Sequence, residues 1–215
     1  NVASSLTDIG QFEAAEELYR KVLATSLEVH GKGHMETASA YGNLAVVLRA
    51  RGQYAEAEPM LDEALIIDQS LSRGPNSVVA LRLYNKATNL GDMGRQIEAL
   101  DHAAQALAMW NASSGPESTD AALGHLAVGY SLSRAGQYDA ADQSYRKALG
   151  IRTKLLGEQH PLTGEVFNNL AMNMDAQGRP PAVIEPYLRK ALDNVRATTG
   201  DSSERAAILY GNIAQ

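Results

Sequence analysis

Along this chain apolar residues fall at helical intervals twice in every 42 residues, and a glycine divides the two runs each time. Gly10, Gly52, Gly94, Gly136 and Gly178 mark the divisions, and their successive numbers differ by 42. Before Gly52, the residues Tyr41, Leu44, Ala45 and Leu48 follow i, i+3, i+4, i+7 spacing, one stripe of an amphipathic helix. After it, Tyr54, Ala57, Leu61, Ala64 and Leu65 mark a second helix, and Gly52-Gln53-Tyr54 is the tight turn between them. Glycine suits the end of the first helix because it adopts a left-handed conformation without steric cost. Self-similarity at a period of roughly 20 to 50 residues predicts a solenoid, whose units bury their apolar faces by stacking on one another.

The columns hold without gaps through four periods. Seven residues before each glycine stand Ala3, Ala45, Ala87, Gly129 and Ala171, all small, and four before it Leu6, Leu48, Leu90, Leu132 and Met174. Five after it come Ala15, Ala57, Ala99 and Ala141, and thirteen after it Leu23, Leu65, Leu107 and Leu149. Small residues let two helix axes approach, leucines fill the space beside them, and overpacking at Ala45 or Ala87 is expected to cost about 1–3 kcal/mol. The expected units are 1–30, 36–72, 78–113, 120–156, 162–199 and a partial 204–215, all in one solenoid domain.

Polar connectors lead from each second helix to the next first helix, as in 30–37, 72–77, 113–120, 157–163 and 199–204. In the last of them Asp201 precedes Glu204 by three residues, the spacing of a helix N-cap pair. Repeat five is one residue longer, with Arg179-Pro180-Pro181 after its glycine, and a proline there can open a helix. Repeat three carries Gln96 where Tyr54 and Tyr138 stand and Lys86 where Leu44 stands, so it is expected to be the loosest.

Composition narrows the reading further. Apolar residues make up 45% of the 215, enough for a packed core. Lys and Arg number 19 against 25 Asp and Glu, a formal charge of −6 without a basic run, which argues against nucleic acid and anionic membrane surfaces as partners. There is no cysteine, hence no disulfide or thiolate metal site, and no apolar run approaches the roughly 18 residues of a membrane span. Both ends fall inside a repeat, so the sequence reads as a piece of something longer; a cytoplasmic location is the expectation.

The pattern Tyr41-x2-Leu44-Ala45-x2-Leu48 followed by Ala57-x3-Leu61 and Ala64 resembles the tetratricopeptide repeat. The usual period of that family is 34 residues. The 42-residue period, with GQYAEAEPMLDEAL at 52–65 and LLGEQHPLTGEVFNNLA at 155–171, is similar to the kinesin-light-chain-like subfamily. That subfamily also occurs in bacterial multidomain signalling proteins. The resemblance implies an all-α, right-handed superhelix of antiparallel helix pairs, a non-catalytic scaffold that takes a protein or peptide in the concave groove lined by first helices.

Helix geometry then picks out a surface. At 100° per residue, positions 13, 9, 6 and 2 before the glycine lie opposite the packing stripe of the first helix. The column nine before it holds Asn1, Asn43, Asn85, Ala127, Asn169 and, after the one-residue slip, Asn212. Asparagine has no helix propensity that accounts for this. One reading is a ladder of amides offered to the backbone of an extended peptide; the other is that each amide bonds to a neighbouring helix and sets the pitch. The two are compatible. Around the amides, Leu81, Tyr84, Leu123, Leu126, Tyr130 and Met172 are apolar for an exposed surface, either a binding patch or packing between adjacent helices. Arg49 and Arg134 are the nearby basic groups, and no Lys/Arg cluster of the kind that grips a C-terminal carboxylate accompanies them.

The remaining candidates carry little chemistry. His30 and His34 have metal-ligand spacing, but Gly31 and Gly33 interrupt any helix, and His34 recurs three periods later as His160. His125 falls in the packing stripe, and His102 at a surface or edge. Glu16, Glu58 and Asp142 recur by repeat, which argues against paired-carboxylate catalysis. Trp110 either caps packing or offers an exposed contact. Neither an enzyme nor a cofactor is implied. The sequence supports protein recognition through Asn43, Asn85, Asn169 and Asn212 with Tyr84, Leu126, Tyr130, Met172, Arg49 and Arg134. The alternative is a structural spacer or self-association arm of a larger signalling protein.

Overall fold

The computed structural model of the protein describes residues 2–199, and among them every regular element is helical. The first helices are α1 (Val2–Asp8), α3 (Met35–Ala50), α5 (Ser77–Asp92), α7 (Thr119–Arg134) and α9 (Pro161–Ala176). The second helices are α2 (Phe12–His30), α4 (Tyr54–Leu71), α6 (Gln96–Ser113), α8 (Tyr138–Leu156) and α10 (Pro181–Thr199). The fold is an all-α solenoid of antiparallel helix pairs. It divides into two compact units, residues 1–113 with α1 to α6 and residues 114–215 with α7 to α10. Within each unit every helix packs on its neighbours in the chain, and α3 also meets α5 as α7 meets α9. Asn1, Asp201, Glu204, Ile208, Asn212, Gln215 and the partial sixth repeat lie outside the described residues.

The five period glycines all take positive φ, from 70° at Gly178 to 81° at Gly94. At Gly52 the amide of Gln53 reaches back to the Leu48 carbonyl at 2.9 Å and the Gly52 amide to Arg49 at 2.9 Å. That pair of bonds is the Schellman arrangement, which satisfies carbonyls the helix end would otherwise leave open. Gly52→Ala is therefore expected to lose about 1–2 kcal/mol, the cost of a Cβ in the left-handed region. The check is a lower urea midpoint at unchanged denaturant slope. In repeat five Gly178 keeps the turn, and the extra residue shifts the start of the second helix to Pro181, whose missing N–H is no loss at a first helical position.

The alanine columns are the floor of the core. Ala45, Ala87 and Ala171 of the first helices, and Ala15, Ala57, Ala99 and Ala141 of the second, are all buried, with Leu48, Leu90, Leu132 and Met174 beside them. Repeat three is filled like the rest rather than loosened. Ala87, Leu90, Ala99, Ala103, Ala106 and Trp110 are buried in it, and the ammonium of Lys86 reaches Asp62 of α4. Trp110 is core, its ring 6.0 Å from that of Tyr84, and so not an exposed contact.

Polar side chains lock the helices in register. Asn89 donates from Nδ2 to the Tyr54 carbonyl at 3.1 Å, and Asn173 does the same to Tyr138 at 3.0 Å, each tying a first helix to the opening of the preceding second helix. The connectors have their own fastening. His34, Asn76, Ser118 and His160 all cap a first helix by accepting a backbone N–H, and successive numbers differ by 42. Thr37 and Thr163 donate their hydroxyls to the carbonyls of Gly31 and Gly157, at 2.7 and 2.8 Å.

Candidate functional site

The face of the first helices that lies opposite the packing stripe is solvent-facing in both units. In the first unit it comprises Ser39, Asn43, Val46 and Ala50 on α3 and Leu81, Asn85, Thr88 and Asp92 on α5. Asn43 and Asp92 are exposed, and Asn85 is half-buried. In the second unit α9 carries Glu165, Asn169 and Met172 on this face, and α7 carries Leu123 and Tyr130. The small residues of the opposite stripe produce this arrangement. They draw the stripe onto the second helices, and a rigid helix must then turn the residues about 180° away toward water.

Asn43 and Asn85 therefore share a register position in the first unit, and Asn169 holds the same register position in the second. No hydrogen bond reaches their side-chain amides among the described residues, whereas the core amides of Asn89 and Asn173 each donate from Nδ2. The reading in which each of the three bonds to a neighbouring helix has no support in these contacts. Ala127, the exception in the column, is buried.

The apolar candidates separate into two groups. Leu81, Tyr130 and Met172 are 41%, 40% and 37% exposed, a large share for side chains of this kind. Leu126 is 5% exposed and belongs to the core, which corrects its assignment to an open pocket. Its position ten before the glycine lies on the border of the packing stripe. Tyr84, in the same column, is half-buried with its ring turned to Trp110. The two arginines also differ. Arg49 pairs with Asp92 at 3.1 Å across α3 and α5, while Arg134 ends α7 in the open.

His30, His34 and His160 serve the scaffold. His30 and His34 stack their rings at 4.7 Å, and His34 Nδ1 accepts the Glu36 amide at 3.3 Å. Burial, with Lys86 as a second cause, holds the half-buried His102 imidazole below its ordinary range. Among the described residues no group of three or more His, Asp or Glu is placed to hold a metal ion, and no helix is long and apolar enough to cross a membrane.

Comparison with known proteins follows the same lines. The model of the family described as tetratricopeptide repeat matches residues 1–70, 78–152 and 120–189. Protein KINESIN LIGHT CHAIN-RELATED 1 of Arabidopsis thaliana is 32% identical over 99 residues, covering 46% of this chain and 16% of its own length. The chain spans between 12% and 20% of the curated relatives it matches. Among solved structures, BtubC (BKLC) from P. vanneervenii superposes with a TM-score of 0.76 at 17% identity, over 94% of this chain and 81% of that one. The Rap protein solved in complex with competence and sporulation factor superposes with a TM-score of 0.67 at 16% identity, over 99% of this chain and 60% of that one. Repeats of this fold generally form non-catalytic scaffolds for protein interaction. With its 42-residue period, its positive-φ glycines and its buried alanine columns, the chain belongs to the tetratricopeptide repeat family, in its kinesin-light-chain-like form.

Proposed function

We propose that the protein recognises a protein partner without catalysis, holding an extended peptide or a partner helix on the solvent-facing side of its first helices. Asn43, Asn85 and Asn169 would bond to partner main chain, each offering a donor and an acceptor. Leu81, Tyr130 and Met172 would supply apolar contacts, and the exposed Arg134 a charge at the rim. The observation behind this reading is an asparagine recurring at one register position, exposed at Asn43 and half-buried at Asn85 and Asn169, with no side-chain hydrogen bond among the described residues. A solvated amide is not strained, but each offers a donor and an acceptor that the main chain of a peptide can take. That a Rap protein of the same fold was solved in complex with competence and sporulation factor supports the general role.

The test begins with peptides selected from a random displayed library against the wild-type chain. Asn85→Leu and Tyr130→Ala are then compared with wild type by titration calorimetry, with circular dichroism as the check on folding. Each variant is expected to weaken binding about three- to tenfold, the range for losing one neutral hydrogen bond or a modest apolar contact. Folded variants that bind every selected peptide as tightly as wild type would leave the spacer or self-association reading in its place.

A further inference from the structure

A second cluster of side chains lies away from the amide faces, between α7 and α8 of the second unit. A cavity of about 490 Å³, open to solvent, is walled by His125 of α7, by Arg146, Lys147, Gly150 and Lys154 of α8, and by Glu117 of the preceding connector. Helical spacing gathers them: residues 146, 150 and 154 stand at i, i+4 and i+8, with 147 alongside. The periodicity does not single out the group, because Lys154 and His125 stand apart from Arg146-Lys147 in the chain and three of the four lie on a second helix.

Arg146 and Lys147 recur as Arg20-Lys21 and Arg189-Lys190, whereas His125 and Lys154 belong to repeat four alone. In the column of His125 the other repeats bury Tyr41, Leu83 and Phe167. In the column of Lys147 they carry Lys21, Glu63, Gln105 and, after the one-residue slip, Lys190, and in that of Lys154 Glu28, Ser70, Ala112 and Ala197. Repeat four alone sets a histidine and three cations together, in a chain whose formal charge is −6. Gly150 points the same way. Glycine is a poor helix former, and nothing lies within 4 Å of the place its Cβ would occupy, so close packing does not explain it. Its missing side chain keeps the cavity floor open.

The charges are only partly answered. Arg146 pairs with Asp142 at 2.5 Å and Lys154 with Glu117, while Lys147 makes no ion pair among the described residues. Burial, and then the Lys147 charge, hold the half-buried His125 imidazole below its ordinary range.

We propose that this cavity binds a phosphate monoester, its dianion held by Lys147, Lys154 and Arg146 with His125 donating a hydrogen bond. Two carboxylates answer Arg146 and Lys154 and leave the Lys147 charge over, and an arginine fork beside two ammonium groups suits the several oxygens of a phosphate. On binding, the phosphate takes the place of the Glu117 carboxylate at Lys154 and shares Arg146 with Asp142. The ester is either a free small molecule or a phosphorylated side chain of a protein. This site is independent of the amide faces, so Asn85→Leu is expected to leave it intact.

The experiment follows the His125 ring resonances of the whole chain by NMR. The probes are inorganic phosphate, O-phosphoserine, a short phosphoserine peptide and the same peptide unphosphorylated. The phosphorylated probes are expected to move His125 saturably and to raise its pKa, since a nearby dianion favours the imidazolium. Lys147→Glu is expected to weaken phosphoserine binding tenfold or more, and Gly150→Val to weaken it with the helix content unchanged. Tighter binding of the phosphopeptide than of O-phosphoserine assigns the site to a protein partner, and the reverse to a small molecule. An unmoved His125, equal binding of the unphosphorylated peptide, or a folded Lys147→Glu variant that binds like wild type overturns the proposal.

Discussion

Asp68→Ala is expected to lower stability by about 3–5 kcal/mol, the range for removing one partner of a buried ion pair. Arg82 donates from Nε to Asp68 Oδ2 at 2.7 Å, and both side chains are only 9% exposed. Alanine at 68 would leave a guanidinium enclosed without a counter-charge, and that desolvated cation, rather than the lost bond, makes the effect large. The arginine has no easy escape, because its guanidinium lies over Gly42, where an added Cβ would stand 2.1 Å from Nη1. Replacing both members, as Asp68→Ala with Arg82→Met, is expected to recover most of the loss, since an apolar side chain of similar length needs no partner. In a solenoid, stability is close to a sum of repeat and nearest-neighbour terms, so the damage should be local. Hydrogen exchange is the measurement: amides of α4 and α5 lose protection in Asp68→Ala while those of α9 and α10 keep it. Uniform loss across the chain, or a double variant no better than the single one, would contradict this account.

Leu170→Ala is expected to cost about 2–5 kcal/mol, because the leucine is fully buried in α9 and its truncation leaves a cavity in the core. The same register position in repeat three holds Lys86, and there the expectation is reversed in scale. Lys86 is half-buried and answers Asp62, so Lys86→Ala should cost about 1 kcal/mol or less, as partly exposed ion pairs do. Equilibrium urea unfolding of the two variants side by side tests the contrast. Comparable losses at the two positions would mean that the column, not the local neighbours, sets the energetics.

The residues that repeat were the ones legible in the sequence. A glycine, an alanine or a leucine recurring every 42 residues carries its own evidence, because each copy tests the others, and the helix bounds and buried columns follow from that comparison. The solvent-facing side of the first helices was legible for the same reason. Features that belong to one interface were not. Asp68 and Arg82 are 14 residues apart and stand in columns that elsewhere hold Ser26, Trp110 and Arg152, or Ala40, Gly124 and Val166, so no pattern announces their pairing. Leu126 was misplaced because its column borders the stripe, where a helical wheel cannot decide between core and solvent. The caps at His34 and His160 hid behind a spacing associated with metals, although the period already linked them with Asn76 and Ser118.

The amide fasteners at Asn89 and Asn173 stand two periods apart, while the matching positions of repeats two and four hold Val47 and Ser131. The smallest block that copies this staple is thus a double repeat. A designer who multiplied 36–77 alone would obtain an array with the right spacing and none of these staples. One who multiplied two successive hairpins would keep a staple at every other joint, and with it a means of halting slippage along a longer rod.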